Sequence, residues 1–175
     1  DDTKLTLPND YNGEKYEIYK YAFYNCTSLT GVSIPDSVTS IGERAFYYCT
    51  SLTSVTIPDS VTSIGNYAFS SCDSLTSVTI GNGVPIIGMY AFYNCTSLTS
   101  VALGNGYASI GKDAFRNCTS LVSINTNEGD LWSKSIDGNL YSKDGKTLKK
   151  YAIGKKDTSF SIPSGVTSIG SSAFS

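Results

Sequence analysis

The chain repeats itself every 23 residues, and few features restrict a fold more. The pair Ala-Phe recurs at Ala22–Phe23, Ala45–Phe46, Ala68–Phe69, Ala91–Phe92 and Ala114–Phe115, each step being 23 residues. The five cysteines, Cys26, Cys49, Cys72, Cys95 and Cys118, keep that step, as do Leu29, Leu52, Leu75, Leu98 and Leu121. Read from Ala45 to Tyr67, the unit is A-F-x-x-C-x-S-L-x-x-V-x-I-P-x-x-V-x-S-I-G-x-x. A unit this short cannot bury its apolar face alone, so consecutive units must stack as coils of a solenoid.

Within a unit, Leu52-x-x-Val55-x-Ile57 fits the leucine-rich repeat pattern, and Val55 and Ile57 alternate with Thr56 as in a strand with one buried face. Pro58-Asp59, or Gly81-Asn82-Gly83 and Gly104-Asn105-Gly106 in later copies, supplies a turn directly after the strand. A second apolar pair, Val61 and Ile64, ends at Gly65, which predicts a backbone angle closed to other residues. Ala68 to Cys72 is expected to form one helical or 3-10 turn. Stacking predicts a concave parallel sheet with strands about 4.8 Å apart, and a convex side of short strands and single turns. Like residues then fall into columns. Phe23, Phe46, Phe69, Phe92, Phe115 and Phe174 are expected to form one buried aromatic column.

Two stretches break the period. Residues 1–21 hold Leu5-x-Leu7-Pro8, matching the repeat strand, with four extra residues before Ala22, and read as an amino-terminal partial repeat. Regular repeats fill 22–124. Residues 125–159 place two Asp-Gly turns, Asp137-Gly138 and Asp144-Gly145, between short alternating runs, the signature of a β-hairpin insertion. Phe160-Ser161-Ile162-Pro163 then returns to the repeat strand, and 160–175 form a truncated repeat opening at Ala173–Phe174. The whole is expected to be a single repeat domain and a fragment of a longer chain.

Chemistry is restricted by what is missing. There is no histidine, which excludes Ser–His and Cys–His nucleophiles, His-ligated metal and a His general base. The net charge of −2 argues against nucleic acid as a partner. No apolar run approaches the eighteen or so residues needed to span a bilayer, so no membrane insertion is expected. The carboxylates within the repeats, Asp36, Glu43, Asp59, Asp73 and Asp113, fall at turns and edges. The cysteines lack clustered pairs and number five, which favours a buried free-thiol ladder over disulfides. Asn25-Cys26-Thr27, Asn94-Cys95-Thr96 and Asn117-Cys118-Thr119 fit glycosylation acceptors, but they recur because the repeat does. No cofactor, no metal and no enzyme activity are expected.

The unit resembles the BspA-type leucine-rich repeat proteins of bacterial and some protozoan cell surfaces, closely over 22–124 and 160–174. Ser135–Leu148 also resembles a hairpin module found between repeats in that family. The resemblance implies an extracellular or surface-attached adhesion protein whose partners are matrix or host glycoproteins and other cells. It carries no catalytic residue.

Candidate binding residues lie on two surfaces. The sheet would present Ser54, Thr56, Ser77, Thr79 and Ser100. The positions flanking Ala-Phe would present Tyr47, Tyr67, Tyr90, Tyr93 and Arg116, residue types that concentrate binding energy at interfaces. Seven lysines lie between Lys134 and Lys156 against two acids, and are expected to blunt exposed hairpin edges more than to meet an acidic partner. The sheet patch would measure on the order of 350 Å², below the roughly 800 Å² per partner of a stable interface. A monomeric module binding a protein, glycoprotein or glycan is therefore expected to bind weakly alone. A structural spacer and a carbohydrate-binding accessory module of a secreted enzyme are the alternatives.

Overall fold

A computed structural model describes residues 3–106 and 109–175. β1 (Lys4–Thr6) and β3 (Gly31–Ser33) pair as a separate two-stranded piece, tied by the Thr53 amide to Thr30 O at 3.1 Å to the first parallel ladder of β5 (Ser54–Ile57), β6 (Ser77–Ile80), β8 (Ser100–Leu103) and β10 (Ser123–Thr126). Its register is set by the repeat: Val55 pairs with Val78 and Val78 with Val101, all buried, while Thr56 lies over Thr79 outside. β1 pairs in the same register, Leu5 opposite Val32, as Leu5-x-Leu7 predicts. A threonine before β3, β5, β6 and β8 reinforces the stacking. Thr76 donates to Thr53 O from both its amide (2.8 Å) and its hydroxyl (3.0 Å), and Thr99 does the same to Thr76 O.

Short strands β2 (Tyr16–Ile18), β4 (Val38–Ile41), β7 (Ile86–Ile87) and β9 (Ser109–Ile110) form the second ladder, joined through Ile64 by parallel bridges to Ile41 and Ile87. The four extra residues of the first coil form a tight turn in which Tyr11 bridges Glu14 and Asn12 and Gly13 take positive φ.

The segment from Gly65 to Cys72 departs from expectation. No α-helix or 3-10 helix occurs among the described residues, only isolated turns. Tyr67 and Ser71 both have φ of 57°, and the same two positions are left-handed in each regular coil, at Arg44 and Tyr48 and at Tyr90 and Asn94. A left-handed residue stops helix propagation. Here it also turns alternate amides along the solenoid axis. Tyr67, Phe69 and Ser71 donate to Met89 O, Ala91 O and Tyr93 O of the next coil at 3.0, 2.7 and 2.8 Å, while Ala68 and Ser70 close turns on Gly65 O and Tyr67 O. The turn flank is thus a third hydrogen-bonded ladder, whose inter-coil bonds offset the strain of left-handed tyrosines.

Gly65 itself does not take a positive φ; the left-handed angles fall on non-glycine residues instead. Its column is glycine because the coils touch there. A Cβ on Gly65 would lie 2.5 Å from Glu43 N, and one on Gly88 2.5 Å from Gly65 C.

The core is a set of columns. Phe46, Phe69, Phe92 and Phe115 are fully buried and stacked at 5.0, 5.3 and 5.4 Å with planes within 5°. Phe23 continues the stack half-buried. Phe174, expected in the same column, is 50% exposed. The insertion places Tyr151 between, its amide donating to Ala173 O as Phe92 donates to Ala114 O, and Phe174 packs against Tyr151 and Phe160.

The insertion is a meander of β11 (Ser133–Ile136), β12 (Asn139–Ser142) and β13 (Thr147–Lys150). Asp137 and Gly138, both at positive φ, make the first turn as expected for an Asp-Gly hairpin. β13 then pairs in parallel with β14 (Ser168–Ile169) of the final coil. Phe160–Pro163 forms no strand, because the final coil docks through β14 and Gly170 onto β13 and leaves that segment without a neighbouring strand.

Candidate functional site

The ladder candidates lie together on one face. Ser54, Ser77 and Ser100 are aligned in register and exposed or half-exposed, as are Thr56 and Thr79, which continue into Ala102. This face is a flat array of small hydroxyls.

The tyrosine and arginine candidates lie on another edge of each coil, the turn flank, so the two groups are separate surfaces. Tyr47, Tyr67, Tyr90 and Tyr93 are half-buried, and Arg116 is exposed. Stacking of coils pairs their rings: Tyr24 over Tyr47 at 5.3 Å and Tyr67 over Tyr90 at 4.9 Å, with planes within 7°. Arg44 takes the intervening position, its guanidinium carbon 4.6 Å from the Tyr67 ring centre and 5.9 Å from that of Tyr21, and donates to the Tyr21 hydroxyl. Glu43 pairs with the same guanidinium. Arg44 is a member of this band that residue-by-residue reading passed over; its place one period before Tyr67 is the signal that identifies it.

Tyr90 and Tyr93 meet edge to face, and the Tyr93 hydroxyl accepts from Asn117. Beyond them, Arg116 pairs with Asp113 at 3.8 Å. Burial opposes ionisation of Asp113, but hydrogen bonds from Ser172, Ser175 and Tyr90 and the Arg116 charge outweigh it and hold the carboxyl below its usual range. Burial and the Asp113 contact push the Tyr90 phenol up. The band therefore presents ring edges, hydroxyls and guanidinium groups, with many ring faces occupied by neighbouring rings.

The cysteines are free. Cys49, Cys72, Cys95 and Cys118 donate to Phe23, Phe46, Phe69 and Phe92 carbonyls at 3.1–3.2 Å. Burial pushes Cys49 and Cys118 up to about 12, and Cys72 and Cys95 well above the ordinary thiol range, so these thiols stay protonated and inert. Among the described residues, no three His, Cys, Asp or Glu side chains converge as a metal cluster.

Three of the seven lysines fold back on the insertion. Lys143 donates to Glu128 O and Lys149 to Trp132 O and Ser133 Oγ, while Lys155 contacts Asp137 O. Lys150 stands where the repeat has alanine, buried, with its ammonium on Ser172 O and Ser175 O at 2.8 and 2.6 Å. Burial lowers its pKa to about 8 against the attraction of Cys118 and Asp113.

These ladders and columns define a leucine-rich repeat solenoid. The family model for the BspA type leucine-rich repeat region matches residues 16–146 in six copies, and the chain belongs to that family. Among solved structures, the pneumococcal vaccine antigen PcpA matches with TM-score 0.85 and 28% identity over 98% of this chain and 42% of that one. A leucine-rich repeat protein of T. pallidum matches at 0.67 and 30% over 96% and 69%. A leucine-rich cell surface protein from Faecalibacterium prausnitzii matches at 0.64 and 28% over 94% and 58%. The chain thus spans less than half the length of PcpA. No curated protein matches significantly.

Proposed function

We propose that the chain is a non-catalytic binding module of a cell-surface or extracellular protein, adhering to host or matrix proteins, glycoproteins or other cells. The observation that carries this reading is the turn-flank band. Tyr24, Tyr47, Tyr67, Tyr90, Tyr93, Arg44 and Arg116 are residue types of interface hot spots, held by a backbone ladder that leaves little to order on binding. Occupied ring faces favour a protein surface over face-on stacking of sugars, so the protein or glycoprotein ligand is preferred to a bare glycan. The vaccine-antigen and cell-surface relatives support the location. The absence of histidine and the inert thiols support a non-catalytic role.

Soluble chain is expected to compete with whole cells for immobilised matrix protein. The double variant Tyr47→Ser/Tyr93→Ser, still folded by circular dichroism but melting lower for its lost ring contacts, is expected to lose that competition. Competition unchanged in the variant removes the band from the site; no saturable binding by the parent chain favours the spacer.

A further inference from the structure

We propose that the Leu131–Trp132 loop is an interfacial docking site for an anionic lipid surface. This stands apart from the tyrosine band. Leu131 is 76% exposed and Trp132, the only tryptophan, is 57% exposed. Among the described residues the indole has no ring partner, in contrast to the paired tyrosines of the flank.

The loop is clamped. Asp130, wholly buried, accepts from Trp132 N at 2.7 Å and Ser133 N at 2.9 Å, and its own amide donates to Asn127 O. Trp132 O accepts from Lys143 N and Lys149 Nζ, both at 3.1 Å. Internal partners for these groups lower the cost of taking the loop out of bulk water. Its conformation is also set before docking.

Charge selects the surface. The insertion, residues 125–159, carries seven lysines (134, 143, 146, 149, 150, 155 and 156) against Glu128, Asp130, Asp137, Asp144 and Asp157, a net +2. The whole chain is −2, so the remainder is −4. An anionic plane attracts the insertion and repels the rest of the solenoid, which turns Trp132 toward it. Hydrogen-bonding groups of the loop and the strands that clamp it, Lys143 Nζ, Lys149 Nζ and Ser133 Oγ, already have protein partners. That suits a sugar poorly, since sugars need directed donors and acceptors. A headgroup layer needs only positive charge and an amphipathic ring at its boundary. The docking is peripheral, lying on the bilayer without crossing it.

The single tryptophan makes the test direct. The 175-residue chain is titrated with vesicles of equimolar phosphatidylglycerol and phosphatidylcholine, with phosphatidylcholine alone, and with free glycerol phosphate, following indole emission. The expected result is a saturable blue shift with the anionic vesicles alone, quenched by brominated acyl chains and reversed at about 0.5 M salt. In vesicle sedimentation, Trp132→Ala and Leu131→Ser, each melting as the parent does, are expected to weaken binding on the order of tenfold together. No shift with anionic vesicles overturns the proposal. So does an equal shift with glycerol phosphate, which would indicate a headgroup pocket, or undiminished sedimentation of the variants, which would indicate charge alone.

Discussion

Replacing Phe69 by alanine empties the middle of the aromatic column. The ring is fully buried between Phe46 and Phe92, at 5.0 and 5.3 Å with nearly parallel planes. Phe→Ala in a packed core costs about 3–5 kcal/mol, the spread reflecting how far the site collapses. Collapse is restricted here, because Phe69 N is bonded to Ala91 O and Phe46 N to Ala68 O, both at 2.7 Å, which fixes the spacing of the coils above and below. Two stacked ring contacts, each about 0.5–1.5 kcal/mol, are lost as well. The expected loss is therefore in the upper part of that range, roughly 4 kcal/mol. Phe174, half exposed and outside the regular stack, provides the comparison. Its alanine variant should lose about 1 kcal/mol, half of what full burial of such a side chain contributes. Urea melts followed by circular dichroism measure both, with the m-value checked because repeat arrays can lose cooperativity. A loss below about 1 kcal/mol for Phe69→Ala, or equal losses at the two positions, would refute the buried column.

Three further outcomes follow from the same packing. Gly88→Ala is expected to destabilise by roughly 2–3 kcal/mol in urea melts through overpacking, since its Cβ would meet Gly65 backbone at 2.5 Å, whereas Gly165→Ala, with open space around it, should be neutral or slightly stabilising. Lys150 has a folded pKa of about 8 against an ordinary 10.5, so the folded state holds its proton less tightly than the unfolded state. Stability referred to Lys150→Met should therefore rise as pH goes from about 8 to about 10.5, by at most about 3 kcal/mol; a flat difference contradicts the buried ammonium. Comparison with the variant removes the opposing contribution of the cysteines, whose raised values are lost as stabilisation at high pH. In the native state at pH 8, thiol alkylation read by intact mass should label Cys26 first and leave Cys72, Cys95 and Cys118 unreacted, with all five labelled in denaturant.

What the sequence makes legible is whatever repeats. Identical spacing of Phe, Leu and Cys forces identical surroundings, so Val55 over Val78 and Phe69 over Phe92 could be read from the period alone. Asp137-Gly138 was equally plain, because few dipeptides accept two positive φ angles. The left-handed residues were hidden. Tyr67 and Arg44 carry no sign of that conformation, and only the backbone bonds to the next coil make it favourable. The glycine column is opaque in one unit for a related reason: a positive φ is what a lone glycine suggests, whereas close approach of two coils is a property of the stack. The candidate surface was legible as residue types but not as chemistry. Tyr21, Arg44, Tyr67 and Tyr90 stand one period apart, so their neighbourhood follows from the step, but which rings and charges meet there depends on the variable residues of adjacent coils. That Lys143 and Lys149 turn back onto carbonyls depends on neighbours outside the regular pattern. Trp132 occurs once, so periodicity says nothing about it.

Coupling across a single hydrogen bond tests the stack most directly. Scalar coupling between the Phe69 amide nitrogen and carbonyl carbons, measured by nuclear magnetic resonance on labelled protein, identifies the acceptor of that amide. The stacked coils predict Ala91, one period ahead at 2.7 Å. A coupling instead to Gly65 or Asn66, as a local helical turn would give, contradicts the register on which the columns rest.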